Sequence, residues 1–323
     1  MTKPRLILLR PFRERDRTYI QTALGRTFEI FEPVDFEDST LAASIQGMDA
    51  AIGVGLTPAV LAAADQLKLL QTPGAGFDGA DLAALSQRGI MVANSHSNAP
   101  FVAEHAMGML LALFKRLLPN DRALRTGFLP IGQDSFPASL FGSTIGLLGL
   151  GHVGQALLRL LVPWGVSVVS AVRRPERYSP ICAQHKELSL TSVEGVLERA
   201  DAVVVSLPLT PHTRGLLDCD RLPLLRAGTI LINVGRAEVI DRRALFQALT
   251  SGQLAGVGLD VWWSDRPELD AVEFARFDQV IMSPHRAGSD AQNSPHLYGV
   301  VANLLEFART GRPIDLVDVA REY

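Results

Sequence analysis

The sequence predicts an α/β chain in which a doubly wound, parallel-sheet domain is inserted into a second α/β domain. Three observations carry that expectation. Short apolar runs alternate with amphipathic helical stretches along the chain, the rhythm of parallel strands with covered faces. After Gly142 the alternation becomes regular enough for six strands. The first of those six runs directly into Gly149, Leu150, Gly151, His152, Val153 and Gly154 at the start of a helical segment. The 323 residues accommodate two domains at about 100–200 residues each.

From the start, residues 5–9, 28–31, 50–54 and 67–70 read as strands, with amphipathic helices at 58–64 and 80–87. Residues 100–118 are strongly apolar but carry Glu104, His105, Lys115 and Arg116, so they predict a buried helix rather than a membrane span. Pro100 suits the first turn of that helix. Residues 119–142 read as a short helix followed by a loop with prolines. Strands then follow at 144–148, 167–172, 202–206, 229–232, 255–260 and 279–282, with clear helices at 152–164 and 242–251. A last helix spans 292–310 and stops at Gly311, a residue suited to helix ends. The expected division is a domain at 100–289 inserted between residues 1–99 and a tail, 290–323, that packs back on them.

Composition excludes several classes. The chain is 47% hydrophobic and 20% charged with a net charge of -3, so the basic footprint of a nucleic-acid binder is missing. Its two cysteines, Cys182 and Cys219, form no CxxC pair or Cys/His cluster, which argues against a disulfide framework or metal site. The apolar run at 6–9 ends at Arg10, too short for a signal peptide or membrane span. The expectation is a cytoplasmic protein.

The glycine-rich turn supplies the first chemistry. Glycines at 149, 151 and 154, between a strand and a helix, allow a tight turn, close approach of backbone to a pyrophosphate and close helix–strand contact. The helix start adds free N–H groups and the positive end of its dipole. A dinucleotide is the expected ligand. An NAD site would place Asp or Glu about 20 residues further on, at the ribose hydroxyl. Here that position reads Val172, Arg173, Arg174, Pro175, with no acid before Glu176. Two guanidinium groups suit a 2′-phosphate, so NADP is favoured and NAD remains possible.

The chain resembles the D-isomer-specific 2-hydroxyacid dehydrogenase family, which includes formate, glycerate and phosphoglycerate dehydrogenases and glyoxylate/hydroxypyruvate reductases. The likeness covers nearly the whole sequence. It rests on the 149–154 turn and on Pro73, Gly74, Ala75, Gly76, Phe77 and Asp78; Val92, Ala93 and Asn94; and Val102, Ala103 and Glu104. Further along it rests on Leu207, Pro208, Leu209 and Thr210; the run from Ile232 through Asn233, Val234, Gly235 and Arg236; Leu259, Asp260 and Val261; and Ser283 through Pro284, His285, Arg286, Ala287 and Gly288.

The resemblance implies a Rossmann cofactor domain inserted into a flavodoxin-like substrate domain, and a homodimer paired through the helix near 102–118. It also implies that Arg236 holds the substrate carboxylate and that His285 gives a proton to the carbonyl oxygen. Gly74, Ala75 and Gly76 would hold the carboxylate from the other side, with Asn94 orienting them. Gly149, Gly151, His152, Val153, Gly154, Leu207, Pro208, Thr213, Val234, Gly235, Asp260, His285 and Gly288 fall on the cofactor side.

The chain departs from the family in places. The family's catalytic Glu falls on Asp265, one methylene shorter, and Glu268 is the alternative. An acid beside His285 would raise its pKa. Arg286 stands where the family commonly has a small or apolar residue; it supplies a second cation for an acidic substrate or points to solvent. Ala237 replaces a glycine. Trp262 and Trp263 are either bulky walls of the site or packing residues. The leading expectation is an NADPH-dependent reductase of glyoxylate, hydroxypyruvate or a similar 2-oxo acid. The alternatives are an NAD-linked dehydrogenase working oxidatively and a dinucleotide-sensing binding protein. Specificity is expected to depend on loops near Arg10, Leu56, residues 74–77 and 128–141, and the helix after Gly288.

Overall fold

The structure, a computed structural model, describes residues 2–128, 137–291 and 294–318. It divides into two compact units, Met1–Asn98 with Ser289–Tyr323, and Ala99–Gly288.

The first unit opens β1 (Arg5–Leu8), α1 (Glu14–Leu24), β2 (Glu29–Phe31), α2 (Asp38–Ser44), β3 (Ala50–Ile52), α3 (Pro58–Ala63), β4 (Leu69–Gln71), α4 (Leu82–Gln87) and β5 (Met91–Ala93). The strands form one sheet in the order β2-β1-β3-β4-β5, every pairing parallel. The short apolar runs of the sequence are strands because they are buried: Leu6, Ile7, Leu8, Ala50, Ala51, Ile52, Leu69 and Leu70 are fully enclosed. Thr57 caps α3 by accepting from the Val60 N–H, and Asp81 caps α4 by accepting from Ala84, the standard use of such side chains. β5 escapes a pattern reading, since three residues are too few to show a period.

The second unit begins with α5 (Ala99–Phe114) and α6 (Leu117–Arg125). The single helix expected over 100–118 therefore breaks, at Arg116, whose backbone is left-handed (φ 50). The loop expected after it lies outside the described residues at 129–136. The unit continues with β6 (Thr144–Leu148), α7 (His152–Leu161), β7 (Ser167–Ala171), α8 (Ser179–Gln184), β8 (Leu188–Thr191), α9 (Val193–Arg199), β9 (Ala202–Val205), β10 (Thr229–Asn233), α10 (Arg242–Thr250), β11 (Leu254–Leu259), α11 (Pro267–Phe274) and β12 (Val280–Met282).

Among the described residues seven parallel strands, not six, run in the order β12-β11-β10-β9-β6-β7-β8. The additional strand, β8, is an edge strand paired only to β7. With one neighbour it needs little apolar sequence, which hides it from pattern reading. Apolar layers cover both faces of this sheet. The α5 helix packs on α7 and supplies Ala103, Ala106, Met107, Met109, Leu110 and Phe114 to one of them.

The chain then returns to the first unit as α12 (Pro295–Thr310). The expected start at 292 falls on residues 292–293, outside the described residues. Leu297, Val300, Val301, Leu304 and Phe307 of α12 join the core made by Leu6, Leu8, Ile20 and Leu24. Tyr19 of α1 meets Tyr298 edge-on, with centroids 5.8 Å apart. Ser294 donates to the buried Asp16, and past the helix Val317 N–H bonds to Val92 carbonyl at 2.8 Å. No described helix is long and apolar enough to cross a membrane.

Candidate active site

The strand order of the second unit arranges the expected site residues along one edge. All strands are parallel, so their C-terminal ends share an edge. Along it, from β12 towards β7, follow His285 after β12, Asp260 after β11, Arg236 after β10, Leu207 after β9, the 149–154 turn after β6, and Arg173 and Arg174 after β7. Five strand spacings of about 4.8 Å each put roughly 24 Å between the two ends of this row, room for a long, thin ligand. The chain reverses direction across the sheet between β6 and β9, the switch point where such sheets bind ligands.

The turn after β6 is built to admit a phosphate. Gly149 has φ +99, closed to ordinary side chains, and a Cβ at Gly154 would collide with the Gly149 carbonyl. That contact seats α7 against the strand. At Gly151, the N-cap, a Cβ would meet nothing within 4 Å, so this face of the turn is open. The N–H groups of Leu150 and Gly151 have no acceptor among the described residues. Such oriented, unused N–H groups fit a pyrophosphate. The end of β7 carries Arg173 and Arg174 and no carboxylate before the exposed Glu176.

The other residues expected on the cofactor side are placed by backbone locks. Thr213 Oγ1 donates to the Pro208 carbonyl at 2.6 Å and accepts from the Thr210 N–H at 2.8 Å. Its hydroxyl therefore shapes the loop after β9. The buried Asn233 accepts from Gly235 N–H at 3.0 Å and donates to the Arg236 carbonyl at 2.9 Å. This side chain fixes the Val234–Gly235–Arg236 turn. A Cβ at Gly235 would press on the Leu207 backbone, so that turn and the loop after β9 lie in contact. Ala237, the residue after Arg236, is buried.

His285 sits on the most constrained loop. Its backbone is left-handed, φ 56, which costs a non-glycine residue about 1–3 kcal/mol and persists only where the surroundings enforce it. The enforcing group is Asp260, 1% exposed. Its Oδ1 accepts from Ser283 Oγ at 2.5 Å and Arg286 N–H at 2.8 Å, and its Oδ2 from Ala287 N–H at 2.9 Å. Trp262 Nε1 donates to the Ser283 carbonyl at 2.9 Å. Asp260 thus grips the His285 loop from both sides, a role beyond the cofactor contact expected from the sequence.

The imidazole keeps an exposed surface, but partial burial lowers its pKa below the usual histidine value. The Asp260 charge opposes that shift, while Arg236 and Arg286 reinforce it. These three charges act on His285.

The expected acid is not among them. Asp265 is exposed and has no hydrogen bond or ion pair among the described residues. Glu268 is also exposed and pairs with Arg266 at 3.1 Å. Neither is among the groups that shift His285: the acid that raises its pKa is Asp260, and burial outweighs it. The physical reason is the backbone path after β11. Ser264 donates to the buried Asp270 from its N–H at 2.8 Å and its hydroxyl at 3.0 Å, and Arg242 pairs with Asp270 at 2.8 Å. The loop is organised around Asp270, and Asp265 is left facing outward.

Trp263 stacks on Phe274 with centroids 5.6 Å apart and donates to the Ile240 carbonyl, so both tryptophans are packing residues of this unit. Sequence reading also missed His105 and Ser283 behind the loop, where His105 Nε2 lies 2.9 Å from Ser283 Oγ. Only the position of α5 could have revealed that pair.

In the first unit, the Gly74 carbonyl accepts from Thr72 Oγ1 at 2.8 Å and Ser95 N–H at 3.0 Å, and the Ala75 carbonyl accepts from Asn94 Nδ2 at 2.9 Å. With their carbonyls held, the N–H groups of Gly74, Ala75 and Gly76 have no acceptor among the described residues. Asn94 is in turn held by the buried Asn303, which donates to its carbonyl at 2.7 Å. No metal-binding cluster of His, Cys, Asp and Glu occurs among the described residues.

Residues 107–287 match the sequence profile described as "D-isomer specific 2-hydroxyacid dehydrogenase, NAD binding domain". The chain belongs to the D-isomer-specific 2-hydroxyacid dehydrogenase family. It is 35% identical to D-3-phosphoglycerate dehydrogenase of Mycobacterium tuberculosis (strain ATCC 25618 / H37Rv) over 263 residues, 80% of this chain and 48% of that one. The chain therefore spans about half the length of that relative. To glyoxylate reductase of Pyrococcus furiosus it is 31% identical over 267 residues, 79% of this chain and 77% of the other. Among solved structures it is similar to an NADPH-dependent glyoxylate/hydroxypyruvate reductase from Sinorhizobium meliloti, in complex with NADP and malonate. That match has 28% identity and a TM-score of 0.80 and covers 98% of each chain. The parallel-sheet architecture is the fold of this dehydrogenase family.

Proposed function

We propose that the protein reduces a small 2-oxo acid of the glyoxylate or hydroxypyruvate kind to a D-2-hydroxy acid, using NADPH. The observation that carries the proposal is the row of groups along one sheet edge, with the phosphate-ready turn near one end and His285 at the other. In this reading residues 100–289 are the cofactor domain, and 1–99 with 290–323 the substrate domain.

A bound reduced nicotinamide supplies the hydride. Arg236 binds the substrate carboxylate and lies beside the carbonyl oxygen, where negative charge develops during reduction; a fixed cation there stabilises that charge. His285, protonated on its imidazole, gives its proton to the same oxygen, and in the oxidative direction the neutral ring takes it back. Asp260 favours the charged ring and fixes the loop. Neither Asp265 nor Glu268 is assigned a catalytic part. The N–H groups of 74–76 would contribute to carboxylate binding, with Asn94 holding their loop. Arg173 and Arg174 support NADPH over NADH. Pairing into a homodimer is part of the proposal, supported by exposed Leu117, Leu124 and Phe128 on and beside α6; size-exclusion chromatography with light scattering checks it.

Turnover of glyoxylate, hydroxypyruvate, pyruvate and longer 2-oxo acids with each reduced cofactor tests the function. NADPH-dependent reduction of the short acids is expected. Strong NADH preference would overturn the cofactor assignment. Tight dinucleotide binding without turnover of any 2-oxo acid would favour a sensor.

A further inference from the structure

Behind the His285 loop lies a chain of three polar side chains, of which the proposed mechanism uses Asp260 and leaves the other two without a part. Ser283 Oγ stands 2.9 Å from His105 Nε2 and 2.5 Å from Asp260 Oδ1. His105 belongs to α5, Asp260 follows β11 and Ser283 follows β12, so the chain ties a helix to the ends of two strands.

The proton count along it has one solution. A carboxylate only accepts, and a serine hydroxyl has a single proton to donate. Asp260 already accepts the N–H groups of Arg286 and Ala287, and Ser283 spends its proton on the same carboxylate. The Ser283 oxygen can then meet His105 only as an acceptor. The proton between them sits on His105 Nε2, whether the ring is neutral or charged. His105 Nε2 is also 3.8 Å from Asp260 Oδ1, close enough for the two groups to favour one another.

We propose that His105 is a positioning residue: it donates from Nε2 to Ser283, commits the serine proton to Asp260, and so holds the left-handed turn that presents His285. Without the donor, the Ser283 hydroxyl is free to turn to other staggered positions, and Asp260 loses one of the three donors that fix it against the loop. The hydroxyl group of Ser283 is the joint between helix and loop. His105 never touches the reacting atoms in this assignment; it acts through Ser283 and Asp260.

The kinetic part of the test rests on the proposed function, and the spectroscopic part does not. In imidazole-nitrogen NMR spectra of the intact 15N-labelled protein, His105 is expected to carry its proton on Nε2 when neutral, and Ser283→Ala is expected to release that preference. A His105 ring protonated only at Nδ1 would overturn the proposal. In glyoxylate reduction with NADPH, His105→Leu is expected to lower kcat about tenfold, as a misplaced catalytic group does, with KM and NADPH affinity within about twofold. His105→Gln, which keeps an N–H donor, is expected to recover most of the loss. An unchanged kcat in His105→Leu, in an enzyme that His285→Ala inactivates, would also overturn it. Undiminished reduction by His285→Ala would instead sink the proton-donor reading and leave the tautomer result standing. If His105→Leu fails to fold, the wild-type spectrum still decides.

Discussion

At the scale of single residues, the proposed chemistry turns on how much charge His285 can carry. Partial burial lowers its pKa, Asp260 offsets part of that effect, and Arg236 and Arg286 add to it. In the proposed reaction reduction needs the protonated ring, so reductive kcat/KM should fall as pH rises through a pKa below the ordinary histidine value. Oxidation, which needs the neutral ring, should gain over the same range. Removing one cation relaxes the depression: Arg286→Ala should move the reductive limb to higher pH, and matched pH–rate profiles check this. A limb that stays put would mean that Arg286 exerts no field on the ring. His285→Ala should lower reductive kcat by about 10²–10⁴, the span of general acid catalysis, with NADPH binding unchanged in a fluorescence titration. The strand-end positions of Arg236 and His285 were legible in the sequence because each lies in a short motif. The acid was not, because which carboxylate turns inward after β11 depends on Asp270 and its bonds to Ser264 and Arg242.

At the scale of elements, the β6–turn–α7 unit depends on one close approach. A methyl at Gly154 meets the Gly149 carbonyl, and neither group is a flexible side chain that can yield. Gly154→Ala should displace α7, costing about 1–3 kcal/mol as overpacking does and at least about tenfold in NADPH affinity. Urea unfolding and titration measure the two effects. At the end of β7, replacing Arg173 and Arg174 together by alanine should reduce the NADPH-over-NADH ratio of kcat/KM at least about tenfold, since each charge-assisted bond is worth about 1.5–3 kcal/mol. An unchanged ratio would show that these arginines do not read the phosphate. Buried parallel strands such as β6, β9 and β10 announce themselves as apolar runs. Strand β8, at the edge, and β5, three residues long, do not. The break between α5 and α6 was equally hidden, because it resides in the backbone angle of Arg116 and not in a glycine or proline.

At the scale of the whole molecule, the first unit is discontinuous in sequence and closed by the chain's last helix. The five core side chains that α12 supplies, Leu297, Val300, Val301, Leu304 and Phe307, are worth about 1.5–3 kcal/mol each when buried. Their sum falls within the about 5–15 kcal/mol that separates a folded domain from its unfolded chain. Truncation before residue 294 should therefore unfold the first unit while the second still binds NADPH. Hydrogen exchange would show this as lost protection in β1, β3 and β4 with protection kept in β6 and β9. Retained protection in β1 would refute it.

The sequence by itself determined the layered α/β class, the glycine turn between β6 and α7 and the strand-end places of His285 and Arg236. Each of these is local: a period, a spacing or a motif within a few residues. Only the tertiary structure decided that Asp260 grips the His285 loop, that Asp265 faces outward, and that His105 reaches Ser283 from a helix 178 residues away in the chain. Those outcomes are hydrogen-bond choices among distant groups. They are set by which buried polar atoms must find partners once the strands are in order, and no local pattern encodes that order.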